Sequence, residues 1–356
     1  MPDKIISRRG STLHIENKYL KYNHSIDEEF NQSIDSDLEI NSNTKTKIIE
    51  VIAKSIINTV KSPDLKMDYS LNPYQGCEHG CSYCYARPTH NYWGYSAGDE
   101  FENTILAKKN AIEILKNELA SKNYQVKPIM LSGNTDCYQP AERKYKLTRG
   151  LLKVLLDWKH PVQIITKNAL ILRDLDILTD LNNLKLCSIA ISVTADNDKT
   201  RRTLEPRASS IESRLKTISK LAENKIPIHG MLAPIIPGIN DSQLFNMLRL
   251  TSEAGANTAS YQIVRLNGDL QAIFNNWLEV NIPERKAKVL NAIRSCHGGQ
   301  LNDSRFGLRM KGEGSISEII NQQFKLAYAK FFPNPQKANL RCDLFCPIIN
   351  GQLRLW

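Results

Sequence analysis

Six short β-branched runs alternating with longer amphipathic ones predict an α/β fold built from parallel βα units. The runs are Asp68–Asn72, Lys127–Leu131, Val162–Thr166, Cys187–Val193, Ile226–Leu232 and Ser260–Leu266. Between them, apolar residues recur every three or four positions near Glu102–Ser121, Arg143–Trp158, Leu170–Leu181, Ser209–Glu223 and Asp241–Ala254, as in helices that bury one face. Parallel strands need crossovers of this length, and a chain of 356 residues suits one principal domain of the α/β-barrel kind. In such folds the reactive groups gather at the C-terminal ends of the strands.

Three segments follow from the pattern. Residues 1–62 read as an N-terminal arm containing a disordered linker, because Ser25–Asn43 carries six acids, no Lys or Arg and few bulky apolar residues. Residues 63–266 hold the βα core. After Leu266 the text turns helical, in "DLQAIFNNWLEVNIPERKAKVLNAIRSCHGG" and "GSISEIINQQFKLAYAKFF", so residues 267–356 read as a helical C-terminal extension packed on the core.

The charge is +10, and residues 1–62 are balanced with nine basic and nine acidic side chains, so the whole excess lies after Ser62. A basic core can attract a polyanion by counterion release, which admits nucleic acid as a partner without requiring it. No apolar run approaches the length of a membrane span, and the N-terminus lacks a secretory signal pattern. A cytoplasmic location is expected, and there the eight cysteines serve as thiols or metal ligands, not disulfides.

The cysteines supply the sharpest motif. Cys77, Cys81 and Cys84 stand in C-x3-C-x2-C spacing directly after the first strand, with Gly76 and Gly80 allowing a tight loop. Three thiolates suit a [4Fe–4S] cluster with one iron left open. A structural zinc site wants a fourth ligand, which His79 or His90 would have to provide. On these residues alone, an iron–sulfur electron-transfer or cluster-carrier protein and a zinc-stabilised nucleic-acid-binding module both stay open.

The motif in this position, with Tyr83 just before the third cysteine, resembles the radical S-adenosylmethionine (radical SAM) superfamily. "CEHGCSYCYARPTH", "SGNTDCYQPAER", "IITKNALILRDLDIL", "ISVTADNDKTRRTLEPRASSIESRL" and "APIIPGIND", in that order, are similar to the group related to spore photoproduct lyase. The resemblance implies a partial (βα)6 TIM-like barrel of the radical SAM type, open at one side. It also implies a cluster held by Cys77, Cys81 and Cys84, with S-adenosylmethionine (SAM) chelated at the open iron by its amino and carboxylate groups. One electron from a flavodoxin- or ferredoxin-type reductant would then split the sulfonium, and the resulting radical would take a hydrogen atom from substrate.

Residue by residue, Tyr83 resembles the aromatic packed against the adenine. Tyr85 matches a tyrosine placed near SAM for hydrogen relay. Ser132, Gly133, Asn134, Thr135 and Asp136 take the place of the segment that meets the SAM amino group, with Thr135 and Asp136 as its polar pair. Lys167 resembles the lysine that holds the SAM carboxylate, and Ser192 and Thr194 stand where ribose or carboxylate contacts are expected. Arg207 either binds an anion or pairs with Glu205, while Ser209 or Ser210 caps the following helix.

One departure separates this chain from photoproduct lyases. Their hydrogen-returning cysteine lies three residues before the matching aspartate, where this chain has Gly133. Cys137 is then either a displaced donor or a buried structural thiol. Elsewhere Arg305, Arg309 and Lys311 either grip phosphate or lie in a solvated loop, Cys342 and Cys346 hint faintly at a second metal site, and Cys187 and Cys296 read as core thiols. The substrate expected is nucleic acid, with a peptide or protein second.

Overall fold

The computed structural model describes residues 9–17, 19, 46–65 and 67–346, together with the backbone of 348–349 and 352–353. The acidic stretch Ser25–Asn43 lies outside the described residues. In chain order the strands are β1 (Lys47–Val51), β2 (Ile57–Thr59), β3 (Tyr69–Leu71), β4 (Tyr74–Gln75), β5 (Thr104–Lys108), β6 (Ile129–Leu131), β7 (Val162–Thr166), β8 (Cys187–Ser192), β9 (Ile228–Ile235) and β10 (Thr258–Ile263). Six of them pair in parallel in the order β3-β6-β7-β8-β9-β10, with β2 added antiparallel beside β3. Neighbours in the chain are thus neighbours in the sheet, as short βα units dictate. All six predicted parallel strands are present, with ends shifted by up to three residues, and the fold is α/β.

The burial pattern shows why. In β7, Val162, Ile164 and Thr166 are buried and alternate with half-buried Gln163 and Ile165. The helix Leu147–Asp157 turns Leu151, Leu152, Val154 and Leu155 into the same core, which extends through Ile189, Ile191, Ile218, Leu221, Met247 and Leu248. At about 25 cal/mol per Å² of apolar surface, this core supplies the main drive for folding.

Several predicted elements differ in detail. Glu102–Ser121 is not one helix: a short helix Glu100–Asn103 gives way to β5, and a second helix covers Ala111–Leu119. All five residues of β5 are buried, and it pairs with β1 and β4 in a separate three-stranded sheet. The predicted helix Arg143–Trp158 breaks at Lys146, whose φ is +51°, and Leu170–Leu181 opens as a 3-10 turn over Ala169–Asp174. A further helix, Asp198–Leu204, starts where Asn197 accepts a hydrogen bond from the Thr200 N–H. The segment assigned to an arm, residues 1–62, contributes β1 and β2 to the two sheets.

After β10 come the helices Leu270–Asn281, Lys286–Ser295 and Gly314–Phe331. The loop before the last one runs along the end of β10, where Ile263 N–H donates to the Met310 carbonyl and Leu266 N–H to that of Leu301. Among the described residues no helix is long and apolar enough to cross a membrane.

Candidate active site

The three-cysteine loop follows β4 at the C-terminal end of β3. Gly76 and Gly80 adopt φ of +76° and +67°, and a Cβ at Gly76 would lie 2.7 Å from the Thr104 carbonyl, so the sharp path needs glycine. The neighbouring chain pins the loop. Gln139 accepts from the Glu78 N–H at 3.0 Å and donates to the Gly76 carbonyl at 3.0 Å, while the Glu78 carboxylate accepts from the Ala141 N–H at 2.7 Å. Below it, fully buried Arg87 donates to the carbonyls of Cys81 at 2.9 Å and Gly98 at 2.7 Å and pairs with fully buried Glu102. Glu102 also accepts from the Gly10 N–H, which ties the N-terminal segment onto the loop.

Cys77 and Cys81 are each 7% exposed and Cys84 is half-buried. Burial pushes all three thiols up, Cys77 to about 12, with neighbouring negative groups adding to the shift at Cys77 and Cys81. Cys77 and Cys81 each feel Cys84, and Cys81 also feels Cys77, so the three share one neighbourhood. Among the described residues no trio of His, Cys, Asp or Glu is drawn together tightly enough to hold a metal ion as it stands. The donor set nonetheless fits an iron–sulfur cluster: burial keeps these thiols protonated until a metal takes the proton's place.

Beside the thiols lies a buried charge cluster. Glu205 is fully buried and accepts from the Tyr83 hydroxyl, from the Thr194 hydroxyl at 2.8 Å and from Arg214. Burial favours its protonated form, yet Arg214 and Lys167 override this and hold its pKa at about 2. Lys167, one residue beyond β7, is kept charged against burial chiefly by Glu205. No carboxylate lies within ion-pair distance of Lys167 among the described residues. Arg214 also donates to the Ser192 carbonyl at 3.0 Å and to that of Ser209 at 2.9 Å. Arg207 does not pair with Glu205. It donates to the Glu102 carbonyl at 3.1 Å and stands 3.6 Å from that carboxylate, because its chain direction after Pro206 leads toward the cysteine loop.

The loop after β6 is placed at the same mouth, but its side chains are engaged within the protein. Ser132, at φ +70°, accepts from the Cys137 N–H at 2.7 Å, and Thr135 donates to the Tyr74 carbonyl at 2.6 Å. The Asn134 amide group lies within reach of Gln75 and Thr89. Asp136 accepts from the Thr166 hydroxyl at 2.8 Å and from the backbone N–H groups of Lys167 at 2.8 Å and Tyr138 at 2.9 Å, with His79 at 3.4 Å. The expected polar pair Thr135 and Asp136 is therefore bonded to its own scaffold. Cys137 is fully buried in the main core with Leu71, Leu131 and Leu151, so it is the structural thiol of the two alternatives. Gly133 has no room for a larger residue, since a Cβ there would lie 2.9 Å from that of Ser70. Tyr85, 53% exposed, donates from its hydroxyl to the Gly133 carbonyl at 2.7 Å.

Residues 71–251 match the family model described as the Radical SAM superfamily. The chain belongs to the radical SAM superfamily. It is 33% identical to "Uncharacterized protein MJ0683" of Methanocaldococcus jannaschii over 70% of this chain and 89% of that one. It is 32% identical to "Uncharacterized protein Rv2578c" of Mycobacterium tuberculosis over 66% of this chain and 70% of that one. Among solved structures, spore photoproduct lyase complexed with dinucleoside spore photoproduct superposes with a TM-score of 0.59 at 15% identity, covering 85% of both chains, a likeness of fold.

In this radical SAM chain the remaining candidates take structural places. His79 is buried, with its ring nitrogens near Asp136 and Asn168, and buried His90 packs against Tyr95 and Phe101. Ser210 caps the helix Ile211–Glu223 by accepting from the Ser213 N–H at 3.1 Å. Arg305 pairs with Asp303 and Glu313, and Arg309 with Asp64, which engages them in ion pairs. Cys187 and Cys296 are buried, while Cys342 and Cys346 are half-buried. Sequence reasoning missed the roles of Arg87, Glu102 and Arg214, and saw Glu205 only as a partner for Arg207. The pairs Arg87–Glu102 and Arg214–Glu205 are separated by fifteen and nine residues and carry no motif.

Proposed function

We propose that this protein is a radical SAM enzyme that holds a [4Fe–4S] cluster on Cys77, Cys81 and Cys84 and acts on an anionic macromolecule, nucleic acid before protein. The observation that carries the reading is the meeting of three thiols, two of them buried, with Lys167 and the Tyr83–Glu205–Arg214 cluster at the strand ends. A bare cluster carrier has no use for the second group. When bound, the cluster and SAM together supply a one-electron cleavage that yields a hydrogen-abstracting carbon radical. The chain's own part is placement. Lys167, with no carboxylate at ion-pair distance among the described residues, offers its cation to the SAM carboxylate, a charge-assisted contact of about 1.5–3 kcal/mol. Glu205 fixes the Tyr83 ring by its hydroxyl, so that the face of the ring can pack on the adenine. Tyr85, anchored to Gly133, stands at the exposed edge of the loop where hydrogen would be relayed. We read the open sheet as a partial (βα)6 barrel, the protein as cytoplasmic, and a flavodoxin- or ferredoxin-type protein as its reductant.

The same reading sets this protein apart from photolesion repair. At Gly133 the space a donor thiol would need is filled by Ser70, and Cys137 is sealed in the core. The test is anaerobic reconstitution followed by iron analysis and measurement of 5′-deoxyadenosine. Reduced parent protein should bind a full cluster and cleave SAM, without efficient repair of thymine photoproducts in DNA. Lys167→Ala should keep its iron and lose SAM affinity. A parent protein that binds iron fully but never consumes SAM would instead be a cluster carrier.

A further inference from the structure

Beyond the residues expected to hold the cofactors, one cation at the mouth stands apart. Arg265 lies two residues past the end of β10, half-buried. Its one hydrogen bond given by the structure runs to the Asp303 carbonyl at 3.2 Å, and among the described residues no carboxylate is within ion-pair distance.

The nearby carboxylates are already engaged. Asp64 accepts from the Gly307 N–H at 2.7 Å and pairs with Arg309, whose guanidinium also lies over the exposed Phe306 ring at 4.6 Å. Asp303 is held by Arg305, at 2.7 Å from its NH2 group, and by the Arg305 N–H at 2.8 Å. Burial and the Arg309 charge press Arg265 toward its neutral form, so an arriving anion would relieve a repulsion. Its chain neighbours Val264 and Leu266 share one apolar cluster with Cys81 and Tyr83, and Cys84 packs against that cluster. The chain at this arginine therefore packs beside the cysteine loop, and its guanidinium meets the loop 302–311, which bridges the end of β10 and Asp64.

We propose that Arg265 is the anion-recognising residue of the substrate site, gripping a phosphate or carboxylate group of the substrate so that the adjoining part lies toward the cysteine loop. The planar guanidinium keeps most of its five N–H donors beyond the single bond to Asp303, and such a fork matches either oxyanion. This assignment rests on the radical SAM reading of the mouth.

The experiment is p-hydroxyphenylglyoxal labelling of the full-length, cluster-reconstituted protein under anaerobic conditions, read by peptide mass spectrometry. Inorganic phosphate or succinate is added in separate arms, with ionic strength matched by chloride. Arg265 should label faster than ion-paired Arg309, and one of the two anions should slow it by roughly ten-fold, the scale of one charge-assisted contact. Exposed Arg202 is the internal reference and should be unaffected. Protection by phosphate identifies a phosphoester substrate, and protection by succinate a carboxylate one. Failure of both anions to protect Arg265, or failure of Arg265 to label, would overturn the proposal. SAM cleavage is measured on the same preparation. Anion protection without cleavage would remove the proposed reaction and leave the anion site standing.

Discussion

Two loops meet at the mouth of the sheet, and they use their polar atoms in opposite ways. In the loop after β6, Ser132, Thr135 and Asp136 are all bonded within the protein, to the Cys137 N–H, the Tyr74 carbonyl and the Thr166–Lys167 turn. In the loop after β4, Gln139, Glu78 and Arg87 do the holding, while the sulfurs of Cys77 and Cys84 meet backbone N–H groups. The lesson is that side chains matched by residue type in the sequence differ in how far the fold already engages them.

The largest expected effect comes from removing the staple under the thiol loop. Arg87→Met leaves the buried Glu102 carboxylate with only Arg207 at 3.6 Å and the Gly10 N–H, which should cost about 3–5 kcal/mol in urea unfolding of the iron-free protein. A loss below about 1 kcal/mol would mean that the pair does not hold the loop.

Next comes acid. The Glu205 carboxyl is held at about 2 against an ordinary value of 4.5, so its contribution is present above pH 4.5 and lost as pH falls toward 2. That contribution is on the order of 3 kcal/mol. Glu205→Gln should flatten the stability curve in this window, and an unchanged slope would show that another group carries it.

In the loop after β6, Asp136→Ala strands the buried Thr166 hydroxyl and two backbone donors, at a cost of about 2 kcal/mol, with the effect read first as instability of the iron-free protein. If Asp136 instead serves SAM directly, stability will hold while SAM affinity alone falls. The smallest stability change is expected at Cys81→Ala. Iron-free protein should shift by less than about 1 kcal/mol, while reconstituted protein loses its cluster absorbance. Full iron retention in that variant would break the contrast between the loops.

How far the sequence reached can be argued from particular residues. The strand Val162–Thr166 was legible because it is a short β-branched run, and Leu147–Asp157 because its apolar face recurs with helical period. The run Thr104–Lys108 was not, since a short strand buried at every position has no period to separate it from the helices on either side. The thiol triad was legible from spacing alone, since all three cysteines sit on one loop.

Local order along the chain therefore determined the parallel βα succession and the place of Cys77, Cys81 and Cys84 after the first strand of it. Only the tertiary structure decided that Glu205 belongs to Arg214 and Tyr83 instead of Arg207, that Cys137 faces the core, and that Gly133 has Ser70 where a side chain would go. The reason is physical. Hydrophobic period and loop spacing are properties of neighbours in the chain, whereas the partner of a buried charge and the free volume at a glycine depend on which distant segments the sheet brings into contact.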